Sequence, residues 1–552
     1  MEKLLPTQMP VSQLVDLFQR GKIAIPEIQR DVVWKAEKVK DLLDSITQSY
    51  PCGSLILWEP REKDHTLVKS MIRPERLEQA KTQLPSYFLL DGQQRLTALA
   101  TVMLTRERLK ELLIELEEEM PFIFVNLKKF PHDIEATTDV AGYKLPWVPF
   151  PRLFDGSLFT DPAYQAIPSI HSKIQEYVQN FRDYQFPVQI IRERTYEAVA
   201  EVFTRVNSQG TQLTGAEIHL ARIVPHWKGI TREFRTYRRE LRLRNYDLDL
   251  TFLIRAITVV ECQVPRIKKL AERIAKDRPP RSQLNRSWRR AKSATDTLIR
   301  LLQHELLLDK SKFFISKNTL VPLIYVLNRL NGRTIPKRDI KRFFILSQLS
   351  ERYSAAAETI LNRDFRTLSD FSSPRDGLAE LAASADKDAR QFIRGLNVKP
   401  GHVSGPASKN VMLLLMYIIM RQRDAVDWGS GTHRRLSDIS PVDLHLHHIF
   451  PFNFMVDNKL ALEAFTKDGR APVEYRRAVN DIANLTFISK DSNGAIGDDP
   501  PFEYLPLETT RTIRRAHFVP EDQSLWKPER FEDFLNERRR LMAKAMTRIL
   551  KA

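Results

Sequence analysis

PVDLHLHHIFP, Pro441 to Pro451, holds three of the chain's twelve histidines, His445, His447 and His448. The alternation of polar and apolar residues over DLHLH suits a strand. It sets Asp443, His445 and His447 on one face and Leu444, Leu446 and His448 on the other. Further along, NDIANLTFISKDSN, Asn480 to Asn493, offers LTFIS as a second strand, with Asn493 after a short turn. Two such strands form a small hairpin that carries a His pair toward a downstream Asn.

Those residue types suit phosphodiester hydrolysis. An imidazole can take a proton from water near neutral pH. A divalent cation can bind the scissile phosphate and stabilise charge on the leaving 3′ oxygen. One strand-end histidine would serve as base, while its neighbour and an amide oxygen complete a metal site.

PVDLHLHHIFP followed by VNDIANLTFISKDSNGAIGDDPPFEYL closely resembles the His-Asn-His (HNH, ββα-metal) domain at the C-terminus of GmrSD-like type IV restriction endonucleases and related phage-defence proteins. Position by position, the resemblance makes His448 the general base, His447 and Asn493 metal ligands, and Asn484 the asparagine that ties down the loop. Many nucleases of the wider superfamily carry Asp or Glu where His447 stands. An imidazole is a softer ligand, so Mn²⁺, Co²⁺ or Ni²⁺ join Mg²⁺ as expected cofactors. Asp443 or His445 could share the metal.

Upstream, YFLL, Tyr87 to Leu90, stops at Asp91-Gly92, and QQRLTALATVML continues with Leu96, Leu99, Ala100 and Met103 at helical spacing. The reading is strand, tight turn, helix. SLILW (Ser54–Trp58), FIFV (Phe122–Val125) and FPVQII (Phe186–Ile191) add strands. Val39, Leu42, Leu43 and Ile46 mark a helix face, and Tyr196 to Val206 reads as another helix. With IPEIQRDVVW (Ile25–Trp34), DGQQR (Asp91–Arg95) and FTRVNSQGTQLTGAEI (Phe203–Ile218), this half resembles the ParB/sulfiredoxin-like module of the same family.

The helix N-terminus after DGQQR is electrostatically suited to an anion. Arg95 and Arg30 would clamp phosphate oxygens, Asp91 would be a catalytic or Mg²⁺-associated acid, and Gln93 and Gln94 would orient water or phosphate. Gln29, Gly92, Arg205 and Asn207 complete the nucleotide-binding candidates. The resemblance implies nucleotide binding and hydrolysis, with GTP, ATP or another NTP as regulator or substrate, and in some members sensing of modified DNA. The plain alternative is a structural strand-turn-helix, with Asp91 as cap and Arg95 in a salt bridge.

Between these modules, residues 224–400 read as amphipathic helices, with LTFLIRAITVV and NTLVPLIYVLNRL as the clearest apolar stripes. The expected organisation is α+β and multidomain: a ParB/sulfiredoxin-like α/β domain over 1–223, an all-helical region over 224–400, and a ββα-metal nuclease domain over 401–552. Lys and Arg outnumber Asp and Glu by 86 to 69, a formal charge of +17, which favours a polyanionic partner. Arg266 to Lys292 concentrates eleven of those cations around Trp288, and Lys268, Lys269, Arg286, Arg289 and Arg290 are the DNA-binding candidates. A solvated helical face broken at Pro279-Pro280 is the alternative.

The longest apolar run, VMLLLMYIIM (Val411–Met420), is about half of the roughly 20 residues that span a membrane, and it reads as a buried helix. Two cysteines, Cys52 and Cys262, lack zinc-ribbon or disulfide spacing. MEKLLPTQMP shows no secretory signal, so a cytoplasmic location is expected. The leading expectation is a nucleotide-regulated, modification-dependent DNA endonuclease in phage defence, with modified phage DNA as partner and a homodimer left open. An NTPase switch or DNA sensor that binds without cutting, and an RNase, remain as other readings.

Overall fold

The computed structural model describes residues 4–25, 36–61, 85–104, 122–131, 134–137, 146–160, 162–165, 168–192, 199, 202, 215–224, 226–227, 229–407, 410–429, 434–440, 443–467 and 469–551. Met1–Phe234 with Ile274–Arg278 form one compact unit, and Arg235–Arg273 with Pro279–Ala552 form a second.

In the first unit, strands β1 (Leu4–Pro10), β2 (Ile23–Ala24), β3 (Leu55–Trp58), β4 (Tyr87–Asp91) and a later strand, Gln185–Ile191, form a mixed sheet. The central strand β3 pairs antiparallel with β4 and parallel with Gln185–Ile191. Every residue of β3 is buried, as expected of a strand covered on both faces. The helices Ala36–Thr47 and Gln93–Met103 supply Val39, Leu42, Leu43, Ile46, Leu96 and Leu99 to the core against Leu57 and Leu89. A separate antiparallel sheet holds β5 (Phe122–Asn126) between β6 (Ile134–Thr137) and β7 (Trp147–Pro149). The Gln185–Ile191 strand is β8. The expected helix over Tyr196–Val206 lies mostly outside the described residues.

The second unit is helical around one hairpin. Asp249 caps Leu250–Cys262 through a bond from the Phe252 amide, and Leu320–Leu330 and Lys337–Leu349 follow the long helix Arg281–Glu305. The chain breaks at Pro279-Pro280, between the helices Lys268–Asp277 and Arg281–Glu305, because neither proline suits a helix interior. The run at Val411–Met420 is buried on all sides within the helix Val411–Gln422. Among the described residues no helix is long and apolar enough to cross a membrane.

Strand β9 (Leu444–His448) pairs antiparallel with β10 (Leu485–Ser489), so that His447 lies opposite Thr486 and His448 opposite Leu485. The helix Lys490–Ile496 follows at once. Asn493 therefore sits within a helix and not after a turn. That helix starts where it does because the Ser489 hydroxyl accepts from the Ser492 amide and Asp427 binds both the Ser489 amide and the Ser492 hydroxyl.

Candidate active site

The strand-strand-helix element brings His447 and Asn493 together. His447 Nδ1 lies 2.9 Å from Asn493 Oδ1, and its Nε2 lies 3.3 Å from the Tyr504 hydroxyl. Tyr504 donates to the Ile449 carbonyl at 2.7 Å. The ring of His447 is 3% exposed and packs edge-on against Trp428. Burial pushes its pKa down to about 4, so it is neutral at pH 7.

These donors suit a divalent cation. Nδ1 and Oδ1 stand 2.9 Å apart, close to the about 3 Å between neighbouring ligands of an octahedral ion with bonds of about 2.1 Å. A cation there needs the Nδ1 lone pair, which moves the ring proton to Nε2. The Tyr504 oxygen is positioned to accept that proton's hydrogen bond while its own hydroxyl stays on Ile449. Among the described residues no three His, Cys, Asp or Glu side chains gather as a metal cage, so Asp443, His445 and His447 do not form one. Asp443 is exposed just before β9.

His448 faces away from that pair. Its Nε2 lies 3.1 Å from Asn480 Oδ1, and Asn480 Nδ2 donates to the Arg476 carbonyl at 3.2 Å. The second bond fixes the amide, so Oδ1 must face the ring and Nε2 must carry the proton. Nδ1 is left with a lone pair. Burial holds the His448 pKa below the ordinary histidine value while the Asn480 bond pulls it back up, and the ring is neutral near pH 7.

Asn484, expected from the resemblance to tie down the loop of the catalytic element, is fully buried and occupied with backbone. It accepts from the Phe450 amide and donates to the Phe450 and Val479 carbonyls, each at 2.9 Å. Its place is structural: it fixes the segment that follows β9.

Three supporting residues escaped the sequence reading. Arg538, 0% exposed on the helix Phe531–Lys551, donates to the Ala483, Leu485 and His517 carbonyls. Burial lowers its pKa to about 9. His517 is bound by the Thr486 hydroxyl and the Val426 carbonyl, and burial takes it down to about 4. Asn480 carried a usable signal, since it stands four residues before Asn484 at the end of the helix Pro472–Val479.

At DGQQR, Asp91 ends β4, and Gly92 is the residue before the helix Gln93–Met103, with φ of 89° and no side-chain cap. The expected cap by Asp91 is absent, because Gly92 occupies that position. A Cβ at Gly92 would stand 2.2 Å from Leu55 Cδ2, so glycine is required there twice over. Arg95 lies 3.7 Å from Asp91 and donates to the Ser54 carbonyl at 2.5 Å, which ties the turn to β3. Gln93 and Gln94 are buried, and Gln93 Oε1 has no hydrogen-bond partner among the described residues. Gln29, Arg30, Arg205 and Asn207 lie outside the described residues.

In the basic run, Lys268, Lys269, Arg286, Arg289 and Arg290 are exposed. Lys268 and Lys269 both pair with Glu272, and Arg290 donates to Asn328. Trp288 is not set among the arginines: it is 4% exposed and packs edge-on against Tyr237, because the helix turns its apolar stripe inward.

Two comparisons place the chain. Its sequence is 22% identical to the uncharacterized protein MJ0686 of Methanocaldococcus jannaschii over 597 aligned positions, covering 94% of this chain and 95% of that one. Residues 11–224 match the family model described as the GmrSD restriction endonuclease, N-terminal domain, and this match supports a GmrSD-like restriction endonuclease family for the chain.

Proposed function

We propose that the protein is a modification-dependent DNA endonuclease that hydrolyses phosphodiester bonds at the β9–β10 hairpin, as an HNH-type site, and is regulated by a nucleotide at DGQQR. The observation that carries this reading is the fixed tautomer of His448, whose Nε2 proton goes to Asn480 and whose Nδ1 stays free to act as a base. The match over residues 11–224 supports the restriction-endonuclease class.

In this account a water beside His448 gives its proton to Nδ1 as its oxygen forms the new bond to phosphorus. The bond from phosphorus to the 3′ oxygen breaks, leaving a 5′ phosphate and a 3′ hydroxyl once the oxygen has taken a proton from solvent. His447 and Asn493 would hold Mg²⁺ or Mn²⁺, which when bound neutralises charge on the phosphate and the leaving oxygen. Asn484 holds the segment after β9 beside the start of β10, and Arg538 anchors the start of β10. In the first unit, Asp91, Gly92, Gln93, Gln94 and Arg95 would meet GTP, ATP or another NTP at the helix N-terminus.

A second reading has one observation in its favour: His447 is 3% exposed and both its ring nitrogens face protein groups. On that reading the hairpin binds DNA without cutting it, and DGQQR turns over NTP as a switch. Purified protein is tested on matched modified-phage DNA, unmodified DNA and cellular RNA, with Mg²⁺ or Mn²⁺, with and without GTP or ATP. The endonuclease reading expects cutting confined to modified DNA. Absence of cutting with intact NTP turnover would replace it by the switch, and cutting of RNA alone by an RNase.

A further inference from the structure

In the second unit a groove of 1470 Å³ runs beside the helix Phe531–Lys551, closed by the end of the helix Val411–Gln422 and by the Phe518–Asp522 segment. Its volume exceeds the roughly 300 to 1,000 Å³ of a typical small-molecule site, which suits an extended ligand. Three of its four acids are paired with arginines, and the fourth, Asp522, accepts from the Ser524 amide. Glu537 pairs with Arg540, Asp533 with Arg530, and Glu521 with Arg511, Arg514 and Arg515.

Arg423, Lys544 and Arg548, by contrast, line the groove with no carboxylate partner among the described residues. The Arg423 guanidinium lies 4.3 Å over the Phe518 ring and donates to the Arg515 carbonyl at 3.1 Å, so its direction is set. Burial and the nearby Arg548 charge both disfavour its cationic form, a repulsion that an anion would relieve. Arg540, Lys544 and Arg548 recur every four residues on one side of the helix, about 6 Å apart along its axis, the first shared with Glu537 and the other two without a carboxylate partner among the described residues. A row of cations at regular spacing matches a repeating polyanion better than a single phosphate.

A second cavity of 250 Å³ shares Gln422 and Ile549 with the groove and adds Arg338, while its Lys341 and Arg342 are already paired with Glu305 and Asp386. Behind the groove, Phe518 follows the buried His517, which is 2.9 Å from the Thr486 hydroxyl, and Thr486 is the strand partner of His447, so the groove wall is tied to the hairpin through the core.

We propose that this groove is the track on which the C-terminal unit holds a nucleic-acid backbone, with Arg423, Lys544 and Arg548 contacting phosphates. It deepens the endonuclease reading by naming the surface that grips the substrate. It also moves the main phosphate contacts from the Arg266–Lys292 run, where Lys268 and Lys269 are already paired, to the last helix.

The test is fluorescence anisotropy of the full chain with a labelled duplex DNA in EDTA, across a salt series, so that binding is read without cleavage. Lys544→Gln/Arg548→Gln should weaken binding about tenfold and flatten the slope of log K against log salt by about two. Lys268→Gln/Lys269→Gln should change affinity less than about twofold. Arg548→Lys reports on folding and charge together and should bind like wild type. An unchanged affinity and slope for Lys544→Gln/Arg548→Gln would overturn the proposal, as would equal binding of polyglutamate, which carries charge without a phosphate backbone. If DNA binds through the groove but is never cut, the track stands and the endonuclease reading fails.

Discussion

The hairpin site and the DGQQR turn are both built where a strand hands over to a helix, yet their polar groups are deployed differently. At the hairpin, two adjacent histidines diverge to separate partners, His447 to Asn493 and Tyr504, His448 to Asn480. At DGQQR the arginine turns inward to Ser54 and toward Asp91, and the glycine is fixed by contact with Leu55. On the proposed reading the first arrangement prepares lone pairs for chemistry. The second shapes a backbone turn, and the nucleotide proposed there would be met by the helix N-terminus and by Gln93. Adjacent residues of one type thus become a site only when tertiary neighbours give them different tasks.

That contrast can be broken most forcefully through Arg538. Removing its side chain strands three carbonyls, including those of Ala483 and Leu485 that frame the hairpin, and Arg538→Ala should cost the second unit about 3 to 5 kcal/mol. Denaturant unfolding followed through that unit checks this, and a loss under about 1 kcal/mol would show that the clamp is dispensable.

Acid should reveal the buried histidines next. His517 is held neutral with a pKa of about 4 in the folded chain against 6.5 unfolded, so the unfolded state binds its proton first. Its contribution is intact above pH 6.5 and fades as pH falls through 6.5 to about 4, by roughly 3 kcal/mol. The melting temperature of wild type should drop across that window, and His517→Gln should flatten the drop; parallel curves would refute the assignment.

Asn480→Ala tests the tautomer. Cleavage should fall about 10- to 100-fold. Because the Asn480 bond raises the His448 pKa, its loss should also move the acid limb of kcat/KM to lower pH. A slower enzyme with an unmoved limb would make Asn480 merely structural. The smallest effect on cleavage should come from the other region: Gly92→Ala should destabilise the first unit by about 1 to 3 kcal/mol, from positive φ and the clash with Leu55, and change the proposed nucleotide response while the pH profile of cleavage keeps its shape.

Much of the hairpin could be read directly, because alternation in DLHLH and LTFIS is a local signal and the strands pair as that pattern implies. The strand, turn and helix at Tyr87–Met103 and the buried run at Val411–Met420 were legible for the same reason. Partners set by tertiary packing were not. Nothing near Arg538 announces that it will bond carbonyls more than fifty residues upstream, and nothing in SWRRAK separates a buried Trp288 from an exposed one. Charge runs mislead in a similar way, since Lys268 and Lys269 are neutralised by an acid one helical turn on, whereas Lys544 and Arg548 stand without one.

The central claim is that His448 Nδ1 takes the proton from water at the hairpin. The most direct measurement is the rate of Mn²⁺-supported DNA cleavage by wild type and His448→Ala at equal folded concentration. The account predicts a fall of about 10² to 10⁴-fold with the melting temperature preserved. Cleavage by His448→Ala at the wild-type rate would contradict it.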